Sequence, residues 1–244
     1  MARLYRKHAF GPLAGAARRT DNQFSTFEGV AMSATPRRAL LVTDVQNEYF
    51  TGKLRIEYPP LATSLPNIVL AMDTAASHGV PVILVQHQAA AGAPVFGAGS
   101  HGWQNHADVA ARPFDHHIVK QQASAFAGTD LANWLTAHAV DTVSIVGYMT
   151  HNCDAATIYQ AAQAGYNVEF LADATGALPY ENAAGKASAE EIHRVYSTVF
   201  HTGFAAVAST AQWVAAVAGG VALDRDDIVA SNQRARQPLK SAQG

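Results

Sequence analysis

From Ala39 onward the hydrophobic positions fall into short, nearly unbroken runs separated by longer mixed segments. The runs are Ala39–Thr43, Pro81–His87, His116–Lys120, Thr142–Gly147, Asn167–Ala172 and Ala205–Ala208. Runs of that length with little polar alternation predict strands buried on both faces. The segments Leu61–Ser77, Thr129–His138, His151–Ala164, Ala187–Phe200 and Ala211–Ala218 read as helices. Gly79 and Gly165 stop the first and third of these, and Ser188-x-x-Glu191 forms a capping-box signal at the fourth. Residues 88–112 form a long stretch rich in Ala, Gly, His and Pro, of the kind that is usually functional or mobile. The tail from Asp224 is polar and shows no periodicity.

Strands alternating with helices predict a three-layer α/β/α fold around a mostly parallel, doubly wound sheet. In such sheets function sits outside the carboxyl ends of the strands. Asp44 ends the first run, Lys120 ends the third, and the segment from Gly147 to Cys153 follows the fourth. Three reactive side chains far apart in sequence are thereby expected at one sheet edge.

Composition narrows the function classes. The chain has 244 residues, enough for one sizeable core, with 49% hydrophobic and 15% charged residues. A formal charge of −2 offers no broad basic surface, so nucleic acid is not an expected partner. No apolar run approaches the roughly 18 residues of a membrane span, and a soluble, cytoplasmic protein is expected. Residues 1–37 are read as an extension, 38–220 as the α/β domain and 221–244 as a polar tail. Arg3, Arg6, Lys7, Arg18 and Arg19 precede the first acidic residue, Asp21, and Met32 offers a second start. The extension is therefore a flexible arm, an oligomer contact, a targeting segment or a misplaced start.

Cys153 is the single cysteine, so no intramolecular disulfide forms. A lone cysteine is more often a buried, inert residue than a nucleophile. Its place alters that expectation. In Gly147-Tyr148-Met149-Thr150-His151-Asn152-Cys153 it joins a buried strand to a helix that Thr150 or Asn152 could cap. The positive end of a helix, with a nearby ammonium from Lys120, would lower a thiol's pKa there.

These residues also carry a family resemblance. Leu41-Val42-Thr43-Asp44-Val45-Gln46-Asn47-Glu48-Tyr49-Phe50 resembles the opening segment of isochorismatase-like hydrolases. Lys120 with Ser124-Ala125-Phe126-x-Gly128-Thr129-Asp130-Leu131 is similar to the family's second block. Gly147-x-x-Thr150-x-x-Cys153 is similar to the third, and Asp173-Ala174 to the last. The resemblance spans about Ala39 to Val217 and implies the isochorismatase-like, Rossmann-like topology. It implies a Cys153–Lys120–Asp44 triad that cleaves a C–N bond of a small amide, carbamoyl or ureido compound through a thioester. It further implies a cis peptide between Tyr148 and Met149, which turns the N–H groups of Met149 and Cys153 toward one oxyanion. No cofactor is implied, and a homo-oligomer, dimer or tetramer, is expected.

By the same strand-end argument Tyr49, Phe50, Trp103, Phe126 and Tyr148 are candidates for a substrate wall, against ordinary packing. Gln46 is a candidate substrate contact or a loop tie. Asp154 departs from the aliphatic residue many family members carry after the cysteine; it is expected to point away from the pocket. The nicotinamidase branch builds a metal site on Asp-x-His after its second strand, where this chain reads Gln86-His87-Gln88. No metal site is predicted, and His101, His106, His116 and His117 lack ligand spacing. Two further functions stay open: vinyl ether hydrolysis with Asp44 as acid, and a non-catalytic binding subunit on the same fold.

Overall fold

The computed structural model describes residues 35–237. In chain order the elements are β1 (Arg38–Thr43), α1 (Glu48–Thr51), α2 (Leu61–Ser77), β2 (Val82–His87), α3 (Ala107–Ala110), β3 (His116–Lys120), α4 (Leu131–Ala137) and β4 (Thr142–Tyr148). A single π-helical turn over Thr150–Asp154 then leads into α5 (Ala155–Gln163). There follow β5 (Asn167–Gly176), the short pair β6 (Tyr180–Asn182) and β7 (Gly185–Ala187), α6 (Ala189–His201), β8 (Ala206–Ala208), α7 (Thr210–Gly219) and α8 (Ile228–Arg236). The 1–37 extension predicted from sequence lies almost wholly outside the described residues.

Six strands pair in the order β3-β2-β1-β4-β5-β8, all parallel. The chain winds outward from β1 to β3, then crosses to build β4, β5 and β8 on the other side. Strand order therefore reverses between β1 and β4, the place where doubly wound sheets leave a crevice. Alternation within the strands feeds two cores. Leu40, Val42, Leu84, Val146 and Leu171 face one layer with Ile68, Met72 and Trp213 of α2 and α7. Leu41, Ile83, Val85, Ile145 and Phe170 face the other, with Leu135, Ile158 and Phe200 of α4, α5 and α6. Burial on both faces is why each strand reads as a continuous apolar run.

A polar network crosses the sheet. Arg38 of β1 donates from Nε (2.9 and 3.1 Å) and Nη2 (2.8 Å) to the Glu169 carboxylate of β5. Ser144 Oγ of β4 donates to Glu169 Oε2 at 2.6 Å, and Trp213 Nε1 of α7 lies 2.9 Å from both oxygens. The ion pair is buried, with side chains 3% exposed on each side. The Arg38 charge is thus paired and hydrogen-bonded in the interior, as buried charge requires.

The structure adds elements in two segments and corrects one expectation. The tail is not featureless: Asp227 accepts the Val229 and Ala230 N–H groups, each at 2.8 Å, and starts the nine-residue α8. Its residues make no buried face, so no periodic signal marked it. The stretch 88–112 is ordered by α3 and by bridges from Gln46 to Asn105 and from Ala89 to Gly97. Neither Thr150 nor Asn152 caps the helix after β4, because that helix opens with the π turn and no side-chain cap is made.

Gly147 lies opposite Thr43 across the β1–β4 pair and has φ +114. A Cβ there would run into the Thr43 backbone. Gly147→Ala is expected to destabilise the fold by about 2–5 kcal/mol through backbone strain and overpacking. A urea midpoint unchanged from the parent protein would contradict this close approach.

Among the described residues no helix is long and apolar enough to cross a membrane.

Candidate active site

Asp44 follows β1 at the switch point with φ 49, in the left-handed region that Asp tolerates better than most residues. Its N–H is held by the Val85 carbonyl at 2.9 Å, and its own carbonyl takes the Gln46 N–H at 2.8 Å. Lys120 closes β3, and its stem runs across β2 toward the same rim. Cys153 stands in the π turn after β4. The peptide bond between Tyr148 and Met149 that precedes the turn is cis.

Lys120 Nζ lies 2.6 Å from Asp44 Oδ2, donates to Cys153 Sγ at 3.2 Å and to the Gln122 carbonyl at 3.2 Å. Two of these contacts are hydrogen bonds and the third is an ion pair. Exposure is 0% at Asp44, 1% at Lys120 and 6% at Cys153. The structure thus brings together the three side chains that sequence placed at one edge.

Electrostatics within the trio differ from the helix-end argument. Burial pushes the Cys153 thiol well up, and the Asp44 carboxylate adds to the rise; Lys120 opposes both without cancelling them. That direction favours the protonated thiol over the thiolate. Burial alone would depress the Lys120 ammonium, but Asp44 and Cys153 outweigh it and hold that ammonium above the usual lysine range.

Asp154 was expected to face away from the site, and it does not face solvent. It is completely buried, and its carboxyl is raised well above the ordinary range by burial first and by Asp44 second, with Lys120 acting the other way. Within the π turn Thr150, Cys153 and Asp154 are all buried.

The predicted substrate wall divides. Tyr49 is 1% exposed and packs on Phe96 and Tyr148, at centroid distances of 5.2 and 5.5 Å. Phe50 packs on His106 (4.2 Å) and Tyr148 (5.8 Å). The Tyr148 hydroxyl shares a 2.9 Å hydrogen bond with Ser64 of α2, which commits it to the interior. Phe126 belongs to the opposite core and packs against Tyr166. Gln46 is a loop tie: its Nε2 donates to the His87 and Trp103 carbonyls, and its Oε1 takes the His87 N–H. Trp103 enters this arrangement through its backbone, which also accepts from Gln86.

The histidines of the loop region have local partners. His101 meets Thr51, His106 caps α3, His116 contacts Asp130 and His117 contacts Gln86. Among the described residues no group of three or more His, Cys, Asp and Glu is arranged so that it could hold a metal ion.

Sequence reasoning missed the β6–β7 hairpin and what surrounds it. A cleft of about 390 Å³ opens there, lined by His151, Tyr180, Ile192 and Tyr196 among others. Tyr180 packs edge-on to His151 at 5.0 Å, and the Cys153 sulfur contributes to raising the Tyr180 hydroxyl pKa, after burial and Tyr196. The signal was present in Asn182-Ala-Ala-Gly185, a Gly-containing turn between two short segments. His193 of α6 hydrogen-bonds Thr150 Oγ1 at 2.9 Å, and burial lowers its pKa to about 4.

The Isochorismatase domain model matches residues 38–212. A crystal structure from Burkholderia xenovorans LB400 superposes with a TM-score of 0.82 at 60% identity, covering 83% of this chain and 97% of that one. A secreted isochorismatase effector of Verticillium dahliae is 30% identical over 184 residues, 73% of this chain and 96% of its own length. N-carbamoylsarcosine amidase from Thermoplasma acidophilum has a TM-score of 0.55 at 25% identity, covering 71% of this chain and 96% of that one. The chain belongs to the isochorismatase family of hydrolases.

Proposed function

We propose that this hydrolase cleaves the C–N bond of a small amide, carbamoyl or ureido compound through a thioester on Cys153. The observation that carries the reading is the buried contact of Lys120 Nζ with both Asp44 (2.6 Å) and Cys153 Sγ (3.2 Å). The likeness to an amidase acting on a carbamoyl compound agrees with it.

The charge count explains why Asp44 is the base. At rest the trio carries one ammonium, one carboxylate and one neutral thiol, a net charge of zero. Moving the thiol proton to Asp44 leaves a thiolate, an ammonium and a neutral acid, again zero. Losing that proton to water instead would leave a net negative charge in a site shielded from solvent. The transfer within the trio is the favoured path to a nucleophile.

The thiolate sulfur then bonds to the substrate carbonyl carbon, and the carbonyl electron pair moves to oxygen, where the Met149 and Cys153 N–H groups are the assigned donors. One such donor is typically worth about 2.7–4 kcal/mol of barrier. Collapse breaks the C–N bond as Asp44 returns its proton to the leaving nitrogen. Water attacks the thioester, Asp44 takes a water proton, and the C–S bond breaks to release the acid. The sulfur recovers its proton from Asp44.

The test of the reaction class is ammonia release from a panel of small amides, carbamoyl and ureido compounds. The thiol itself is tested by alkylation with iodoacetamide. Because Asp44 raises the thiol pKa, Asp44→Asn is expected to lower it, so alkylation at pH 7 speeds up while hydrolysis falls. Slower or equal alkylation in that variant would contradict the assigned electrostatics.

A further inference from the structure

Asp154 adjoins the trio and takes no part in the chemistry above. Its side chain is 0% exposed, and neither carboxyl oxygen has a hydrogen-bond partner among the described residues. The titratable and charged groups that act on it, or on which it acts, come from three strands and one helix: Asp44 after β1, Lys120 of β3, Tyr148 of β4 and Tyr49 of α1. Tyr49 is in turn influenced by Cys153 and Asp44, so this carboxyl shares the neighbourhood of the reacting sulfur.

The trio is already neutral, so an ionised Asp154 would add one uncompensated buried charge. Burial first and Asp44 second raise the Asp154 carboxyl well above the ordinary range, which favours the neutral carboxylic acid. A neutral carboxyl presents one donor and one acceptor along the same edge. Leaving both unpaired in the interior is unfavourable, and such groups in native proteins call for an explanation. The unit that satisfies both at once is planar, with a C=O beside an N–H. The bond being cut cannot supply it, because its oxygen is assigned to the oxyanion donors and its nitrogen to Asp44.

We propose that Asp154 is a substrate-binding residue that selects small amides carrying a second planar N–H/C=O group, pairing with that group through both carboxyl oxygens. This rests on the amide-hydrolase reading for the position of the substrate, so binding and turnover are measured separately.

The experiment uses full-length Cys153→Ser protein, which removes the nucleophile, and measures equilibrium affinity by calorimetry. The probes are malonamide and 3-methylbutanamide, which match in heavy-atom count and branching but differ in the second amide. Malonamide is expected to bind about 10–100-fold more tightly, the worth of two hydrogen bonds. Adding Asp154→Leu should bring the two affinities together. Asp154→Asn should keep most of the preference, since a primary amide also offers one donor beside one acceptor. Raising the pH until Asp154 ionises should erode the preference in the Asp protein and leave it in the Asn variant. Where the leucine variant fails to fold, Asp154→Ala replaces it.

Equal affinities, no measurable malonamide binding, or a preference that survives in the leucine or alanine variant overturns the proposal. A preference that depends on Asp154 in a protein that hydrolyses no amide would instead overturn the proposed reaction and keep the binding role.

Discussion

Cys153→Ala is expected to lower amide hydrolysis by about 10⁴-fold or more, judged from enzymes in which a nucleophile acts as one unit with its base. The substitution is sterically mild. It removes one sulfur from a site that is 6% exposed, so the fold should persist and melting temperature reports that directly. Lys120→Met is a poorer probe, because it would strand the buried Asp44 carboxylate without its 2.6 Å partner. Cys153→Ser serves as the second variant: it retains a hydroxyl near Lys120 but not a thiol's nucleophilicity. Initial rates of ammonia release, with single-turnover trapping of an acyl group on Cys153, make the measurement. Hydrolysis that continues undiminished in Cys153→Ala would end the thioester route and favour acid chemistry at Asp44. Protein that binds amides but turns none over, with or without the sulfur, would favour a binding subunit.

The second large effect concerns stability. Glu169→Ala is expected to destabilise the protein by about 3–5 kcal/mol, because it leaves the Arg38 guanidinium charged and buried without its carboxylate. It also removes the acceptor for Ser144 and Trp213. In a chain of this size the melting temperature should fall by about 6–20 °C. Glu169→Gln should fall between the two proteins, since the amide oxygen still accepts while the charge is lost. The network ties β1, β4 and β5 to α7 through atoms that no other group in the network replaces. A Glu169→Ala protein that melts with the parent would mean that the guanidinium relaxes to water or to the Val221 carbonyl that it already contacts.

Much of this architecture was legible in the sequence because burial on both faces leaves a plain mark. Leu40, Leu41 and Val42 feed opposite cores in succession, so β1 reads as an apolar run, and the same holds for β2 and β4. Asp44 and Lys120 could be placed because each ends such a run, and strand polarity then fixes the rim on which both emerge. What escaped notice was whatever depends on side-chain direction or on surface elements. Asp154 was expected to point away from the pocket, and only the assembled structure shows it buried in the same turn as Cys153. Tyr148 and Gln46 looked available to substrate until Ser64 and the His87 and Trp103 backbones claimed their polar atoms. The thiol's raised pKa was likewise hidden, since the proximity of Asp44 and the depth of burial are properties of the assembled site. The hairpin and α8 are polar and exposed, and such elements write little into hydrophobic pattern.

The position of β3 at the outer margin of the sheet has a bearing on how this protein fails. Among the described residues its backbone is pinned on one flank only, by β2, while Asp44 and the π turn hang from the two innermost strands. Edge elements open locally at less free energy than central ones. Warming or mild denaturant would therefore peel the lysine-bearing margin away first, and inactivation would precede the collapse of the sheet that it borders.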